Sequence, residues 1–277
     1  MNRMSIKYIM KVIVPIILII AASIFNKYLG LVCLIAYILL ICYTSRSGIY
    51  KLIANINYGK GDMHKALHWY RKAYETDNTK VKTAITYAYL LLKEGNFDES
   101  EKVFNQIFEL KPGQDDKMLA QSDYALLIWK KGDLDRAVSM LEEVIESYKT
   151  TSIYGSLGYL LILKGDLDRA LEFNLEAYDY NSKNPIILDN LGQTYYLRGE
   201  QDKAIEIYEK LMSSNPSFPS AYYNYGLVLL KNGECNKALE NMKKALNFKF
   251  SPLSAINKGE IEAKIEEIKY EMEKSNN

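Results

Sequence analysis

Gly61, Gly95, Gly132, Gly165, Gly199 and Gly233 stand 34, 37, 33, 34 and 34 residues apart, and this interval constrains the fold more than any other feature of the chain. Five residues after each glycine comes a small side chain: Ala66, Ser100, Ala137, Ala170, Ala204 and Ala238. Seven residues before each comes another: Ala54, Ala88, Ala125, Gly158, Gly192 and Gly226. Eight before, the column is large and apolar: Ile53, Tyr87, Tyr124, Leu157, Leu191 and Tyr225. A period of this size marks an array of supersecondary units that bury their apolar faces against one another.

The columns describe an antiparallel helix pair. The glycine permits the left-handed backbone that ends the first helix. Asp62, Asn96, Asp133, Asp166 and Glu200 or Asp202 follow it and suit the start of the second, as caps or as charges at the positive end of its dipole. The two small residues fall where the helices cross. Tyr70, Phe104, Leu141, Tyr208 and Met242, on the second helices, fill the space between successive pairs.

In period, in its small–Gly–small columns and in the closing Pro112 and Pro216, the pattern resembles the tetratricopeptide-repeat family. The resemblance covers residues 47–252 and implies an all-α fold: a right-handed superhelical solenoid of about six helix pairs, at 47–80, 81–114, 118–150, 151–184, 185–218 and 219–252. The first copy departs from the pattern, its first helix reading Gly48–Tyr58, and residues 115–117 are an insertion before the third. Residues 253–277 read as a capping helix, Lys258 to Lys274, and a tail.

Ahead of the repeats, residues 1–46 form a membrane anchor. Residues 8–25 are apolar except for Lys11 and Ser23, and residues 28–43 are apolar throughout, with only Asn26 and Lys27 between. As helices the stretches span roughly 27 and 24 Å, short of a ~30 Å hydrocarbon core but within reach when flanking side chains snorkel. A single helix would hold Lys27 near mid-bilayer at a cost of about 3 kcal/mol. A cleaved signal peptide using residues 12–22 would leave the second stretch to anchor the mature chain. A transmembrane hairpin turning through Asn26, Lys27 and Gly30 puts Tyr8 and Tyr43 at one interface and Tyr28 at the other, and is the expected topology. Arg3, Lys7, Lys11, Arg46 and Lys51 flank the hairpin against Lys27 alone in its turn, which places both ends, and the repeats, in the cytosol at the cell membrane.

The formal net charge of +1 conceals a division. Seven Lys and Arg precede the first acidic residue, Asp62, leaving 28 against 34 acidic groups in the rest. A nucleic-acid binder concentrates its basic residues on the folded module, so nucleic acid is not an expected partner. Cys33, Cys42 and Cys235 have neither disulfide nor metal-ligand spacing. His64 and His68, the two histidines, lie four apart on one helix face with no third ligand evident, and no phosphate-binding loop or nucleophile–base pair appears. The expectation is no metal, no cofactor and no enzyme. Richness in Ile, Lys, Asn and Tyr suggests an AT-rich bacterial genome.

The resemblance implies a concave wall built from the first helix of each pair, with partner contacts there. Nine residues before each glycine the column reads Leu52, Thr86, Asp123, Ser156, Asn190 and Asn224. An Asn amide donates and accepts at once, so such a column can grip the backbone of an extended peptide. Tyr89, Trp129, Tyr159, Gln193, Tyr196 and Tyr223 run alongside, the aromatics as flat amphipathic contacts. The alternative is a solvated solenoid face with the tyrosines packed on neighbouring helices. Some family members hold a C-terminal carboxylate with a five-residue clamp; Lys51 and Asn55 match its first two positions, but Thr86, Leu119 and Asp123 do not match the rest. The expected function is a membrane-anchored scaffold whose groove binds a protein or peptide, anchoring raising the partner's effective concentration at the bilayer. The alternative is an extracytoplasmic factor assisting envelope or secretion-complex assembly.

Overall fold

The computed structural model describes residues 12–77, 79–254 and 256–275. These residues form fifteen α-helices and no strand. The chain divides into two compact units, residues 1–87 and 88–277.

The first unit opens with α1 (Val14–Phe25) and α2 (Lys27–Thr44). Asn26 breaks the helix between them with an extended backbone, and its Oδ1 accepts from the backbone N–H groups of Tyr28 and Leu29 at 2.8 and 3.3 Å. Gly30 lies against Ser23, where the two helices have no room for a Cβ. Gly30 is also the one buried residue of the two helices; their apolar side chains point outward. The Arg3, Lys7, Lys11 and Tyr8 of the expected basic and aromatic flank lie outside the described residues. Then come α3 (Arg46–Gly59), α4 (Met63–Thr76) and the start of α5 (Val81–Lys93). Ala54 and Ala66 are fully buried at the α3–α4 crossing, and the Tyr70 hydroxyl donates to Asn55 Oδ1. That bond occupies one of the two side chains that matched the carboxylate clamp.

The second unit continues from α5 through α6 (Phe97–Glu109), α7 (Gln114–Lys130), α8 (Leu134–Ser147), α9 (Thr151–Lys164), α10 (Leu167–Tyr180), α11 (Pro185–Leu197), α12 (Gln201–Ser213), α13 (Pro219–Lys231), α14 (Cys235–Ala245) and α15 (Lys258–Ser275). All six periodic glycines have left-handed backbones, φ +77° to +102°, and so serve as the helix ends that the spacing predicts. The cap column is mixed. Asp62, Asp133 and Asp166 each accept from the backbone N–H three residues on, at 3.0, 3.0 and 3.3 Å, whereas Asn96 and Glu200 make no such bond. The insertion at 115–117 is absorbed within α7, which has 17 residues where the other first helices have 13 or 14.

Packing follows the columns. Ser100, Ala137, Ala170, Ala204 and Ala238 are fully buried, and Ser100 Oγ donates to the Ala88 carbonyl at 2.8 Å across the helix crossing. At Gly192 an added Cβ would stand 2.7 Å from the Tyr208 ring, so the glycine is what admits the tyrosine. Neighbouring pairs meet second helix to next first helix, α8 on α9, α10 on α11 and α12 on α13, and also first helix to first helix, α9 on α11 and α11 on α13. Ile261, Ile265 and Ile268, on one face of α15, are buried and close the core formed by α11–α14. Cys235, the first residue of α14, is half-buried against this core.

Candidate functional site

Within the second unit a cavity of about 580 Å³ opens on the first helices of consecutive pairs. Helical spacing explains its lining. On α9, Ser152, Gly155, Ser156 and Tyr159 recur at intervals of three and four residues and therefore share one face. Tyr89 and Lys93 come from α5, Leu126 and Trp129 from α7, Ile186, Asp189 and Asn190 from α11, and Pro219 and Ser220 from α13. Asn184 and Phe218, just before α11 and α13, join them, and the connector between α14 and α15 contributes Lys249, Ser251, Leu253 and Ser254.

Five of the residues expected in the groove meet at this cavity: Tyr89, Trp129, Ser156, Tyr159 and Asn190. Trp129 and Tyr159 stand edge to face, ring centres 5.7 Å apart, and form an aromatic corner. Asn190 is buried and gives its amide N–H to the Gly155 carbonyl at 2.8 Å, binding α11 to α9. Asn224 is buried too and donates to Asp189 Oδ1 at 3.1 Å. Both amides thus serve as ties between successive pairs. Gln193, Tyr196, Tyr223, Asn224 and Asp123 are not among the residues lining the cavity. Tyr196 and Tyr223 pack against the core that α15 closes, the Tyr196 ring 5.3 Å from Lys231 Nζ. Thr86 belongs to the first unit, where its hydroxyl donates to the Lys82 carbonyl at 2.9 Å.

Asp189 is the acid in the wall, beside Lys93 and Lys249, and Asp123 on α7 lies outside it. Asp189 is buried and accepts from three side chains: Tyr208 Oη at 3.0 Å, Asn224 Nδ2 at 3.1 Å and Ser220 Oγ at 2.9 Å. Burial raises its pKa and the three donors oppose the rise without cancelling it. Asp123, on α7, is half-buried, and burial pushes its carboxyl up to about 7.

The sequence columns pass over Asp189, which stands one residue before the expected Asn190. Its signal is an acid inside an otherwise apolar helix stretch, with Ser220 and Asn224 one repeat later. Ser152 and Gly155 were accessible from Tyr159 by helical spacing. No local pattern announces the connector. Among the described residues no group of three or more His, Cys, Asp or Glu side chains is placed to hold a metal, and no histidine lines the cavity. The site offers hydroxyls, aromatic faces and the charged Asp189, Lys93 and Lys249 within a volume typical of ligand pockets.

Comparison with known proteins agrees with this architecture. Family models described as tetratricopeptide repeat match residues 81–114, 125–185 and 219–251, and one described as TPR repeat matches 192–233. A TPR repeat-containing protein of Methanocaldococcus jannaschii, MJ1428, is 27% identical over 132 residues, 47% of this chain; the chain spans 23% of that relative's length. Among solved structures, a tetratricopeptide repeat protein from Parabacteroides merdae superposes with a TM-score of 0.63 at 16% identity, covering 92% of this chain and 98% of that one. PilW, described as a widely conserved type IV pilus biogenesis factor, gives 0.59 at 15% identity over 72% of this chain and 91% of its own. PilF of Pseudomonas aeruginosa gives 0.56 at 13% identity over 73% and 91%. At these identities the likeness is one of fold.

Proposed function

The chain belongs to the tetratricopeptide-repeat family, and from that premise we propose that it is a membrane-anchored scaffold whose second unit binds an extended peptide of a protein partner. The observation that carries this reading is the cavity on the first helices, with Trp129 and Tyr159 as its aromatic corner and the hydroxyls of Ser152 and Ser156 beside them. Aromatic faces supply contact area at low entropic cost, and hydroxyls serve either the N–H or the C=O of a bound backbone. Stacked repeats present concave surfaces of this kind.

The membrane part rests on α2. Its 18 residues are long and apolar enough to cross a bilayer; α1 is apolar and shorter. A core helix of a soluble protein hides its apolar side chains, whereas Val32 and Leu39 are 62% and 63% exposed here, and Phe25 in α1 is 86% exposed. Such a surface calls for an apolar environment. Arg46 lies over the Tyr43 ring at 4.1 Å, the amphipathic pairing suited to an interface. We read α1 and α2 as a hairpin with the repeats on the cytosolic side.

The test is selection of displayed peptides against the full chain in lipid nanodiscs. Selected peptides are expected to lose at least tenfold in affinity for Trp129→Ala and for Ser156→Trp, which fills the cavity. Peptides that bind parent and variants equally would sink the groove assignment.

A further inference from the structure

The connector between α14 and α15 is held as a bound peptide would be. Lys249 Nζ lies 3.0 Å from Glu94 Oε1, 155 residues away in sequence. Pro252 packs on Gly95, close enough that a Cβ there would come within 3.3 Å of the proline ring. Lys130 Nζ donates to the Ser254 carbonyl at 3.1 Å. Between these points the connector turns tightly, with Ser254 N–H donating to the Ser251 carbonyl at 2.8 Å. Three features of a short segment are therefore read by three groups at the ends of α5 and α7: a cation by a carboxylate, a ring by a bare glycine, and a backbone carbonyl by an ammonium.

The hold is weak where it meets solvent. The Lys249 side chain is 73% exposed, and exposed ion pairs of this kind contribute little. A tethered segment gains its occupancy from effective concentration, in the millimolar range for short linkers, so a free ligand of the same chemistry and modest affinity can replace it. The connector also forms part of the wall of the cavity, so replacing it alters access to that space.

We propose that residues 249–254 are a built-in competitor, and that the seat formed by Glu94, Gly95 and Lys130 recognises a Lys-x-x-Pro turn supplied by the partner. This rests on the reading of the adjoining cavity as a peptide groove, and it assigns the partner a chemistry: a basic residue three positions before a turn-forming proline.

The experiment titrates a fluorescein-labelled hexapeptide of sequence Lys-Phe-Ser-Pro-Leu-Ser, capped at both ends, against the full chain in detergent micelles, read by anisotropy. The variant Lys249→Ala/Pro252→Gly, with its own connector unseated, is expected to bind at least tenfold tighter than the parent. Adding Glu94→Lys is expected to abolish that gain. Equal binding by parent and double variant, or binding indifferent to Glu94→Lys, overturns the proposal. Lys249→Ala alone, at an exposed position, gives a smaller gain of about threefold and keeps the test open should the double variant unfold. If the hexapeptide fails while selected peptides still depend on Trp129 and Ser156, this inference falls and the groove stands. If selected peptides ignore those residues, it is the groove that falls.

Discussion

The hydroxyl of Tyr208, on α12, donates to Oδ1 of Asp189, on α11, at 3.0 Å, and both side chains are buried. The bond ties the two helices of one pair, while Ser220 and Asn224 reach the same carboxyl from α13. A repeat interface is thus fastened through one acid.

Asp189→Ala is expected to strand the buried donors of Tyr208 and Asn224 and the half-buried Ser220 hydroxyl, and to lower stability by about 2–4 kcal/mol, read as a fall in melting temperature. Asp189→Asn keeps an acceptor for Tyr208 and Asn224 and offers an N–H to Ser220. Its loss is expected to be small, and smaller still as pH rises, because the amide never carries the buried charge.

Asp123 is expected to give the chain a stability that depends on pH between about 4 and 7. Its folded pKa of about 7 lies above the ordinary 3.8, so the folded state binds the proton more tightly than the unfolded one. The stability that follows is present in full below about pH 4 and is lost as pH climbs to 7. Asp123→Asn is therefore expected to match the parent in acid and exceed it at pH 8. Allowing for the solvent that reaches the side chain, the gain is about 2 kcal/mol. Melting temperatures at pH 4 and pH 8 decide this; a difference that does not change with pH would refute it.

Asn174 stands where the other second helices carry Tyr70, Phe104, Leu141, Tyr208 and Met242. It is fully buried, its amide N–H reaches Thr194 Oγ1 at 3.1 Å, and its Oδ1 has no partner among the described residues. Asn174→Leu removes an unsatisfied buried oxygen and adds apolar burial, so the melting temperature is expected to rise by an amount equivalent to about 1 kcal/mol. A fall would mean that the Thr194 bond outweighs the orphaned oxygen.

Sidedness is open to a direct measurement. In a chain with Cys235→Ala, a cysteine placed at the exposed Asn236 is expected to react with a membrane-impermeant maleimide only after lysis. Labelling in intact cells would put the repeats outside the cytosol and favour the envelope-assembly reading instead.

The helix pairs, their glycine ends and their crossing points were legible in the chain, because each depends on contacts a few residues apart and repeats six times. Gly95 ends a helix through its own backbone, and Ser100 faces Ala88 through spacing alone. The outward apolar faces of α1 and α2 follow equally from the two apolar stretches on either side of Asn26 and Lys27. Tertiary structure decided what the polar columns do. Asn190 and Asn224 have the composition of an open ladder, but stacking of adjacent pairs turns their amides toward Gly155 and Asp189. Tyr196 and Tyr223 pack against the core that α15 completes, beside which no local pattern could place them. The connector at Lys249–Ser254 reaches Glu94 and Lys130 only because accumulated turns of the stack bring distant helix ends together, and a sum of small rotations is not written in any single repeat.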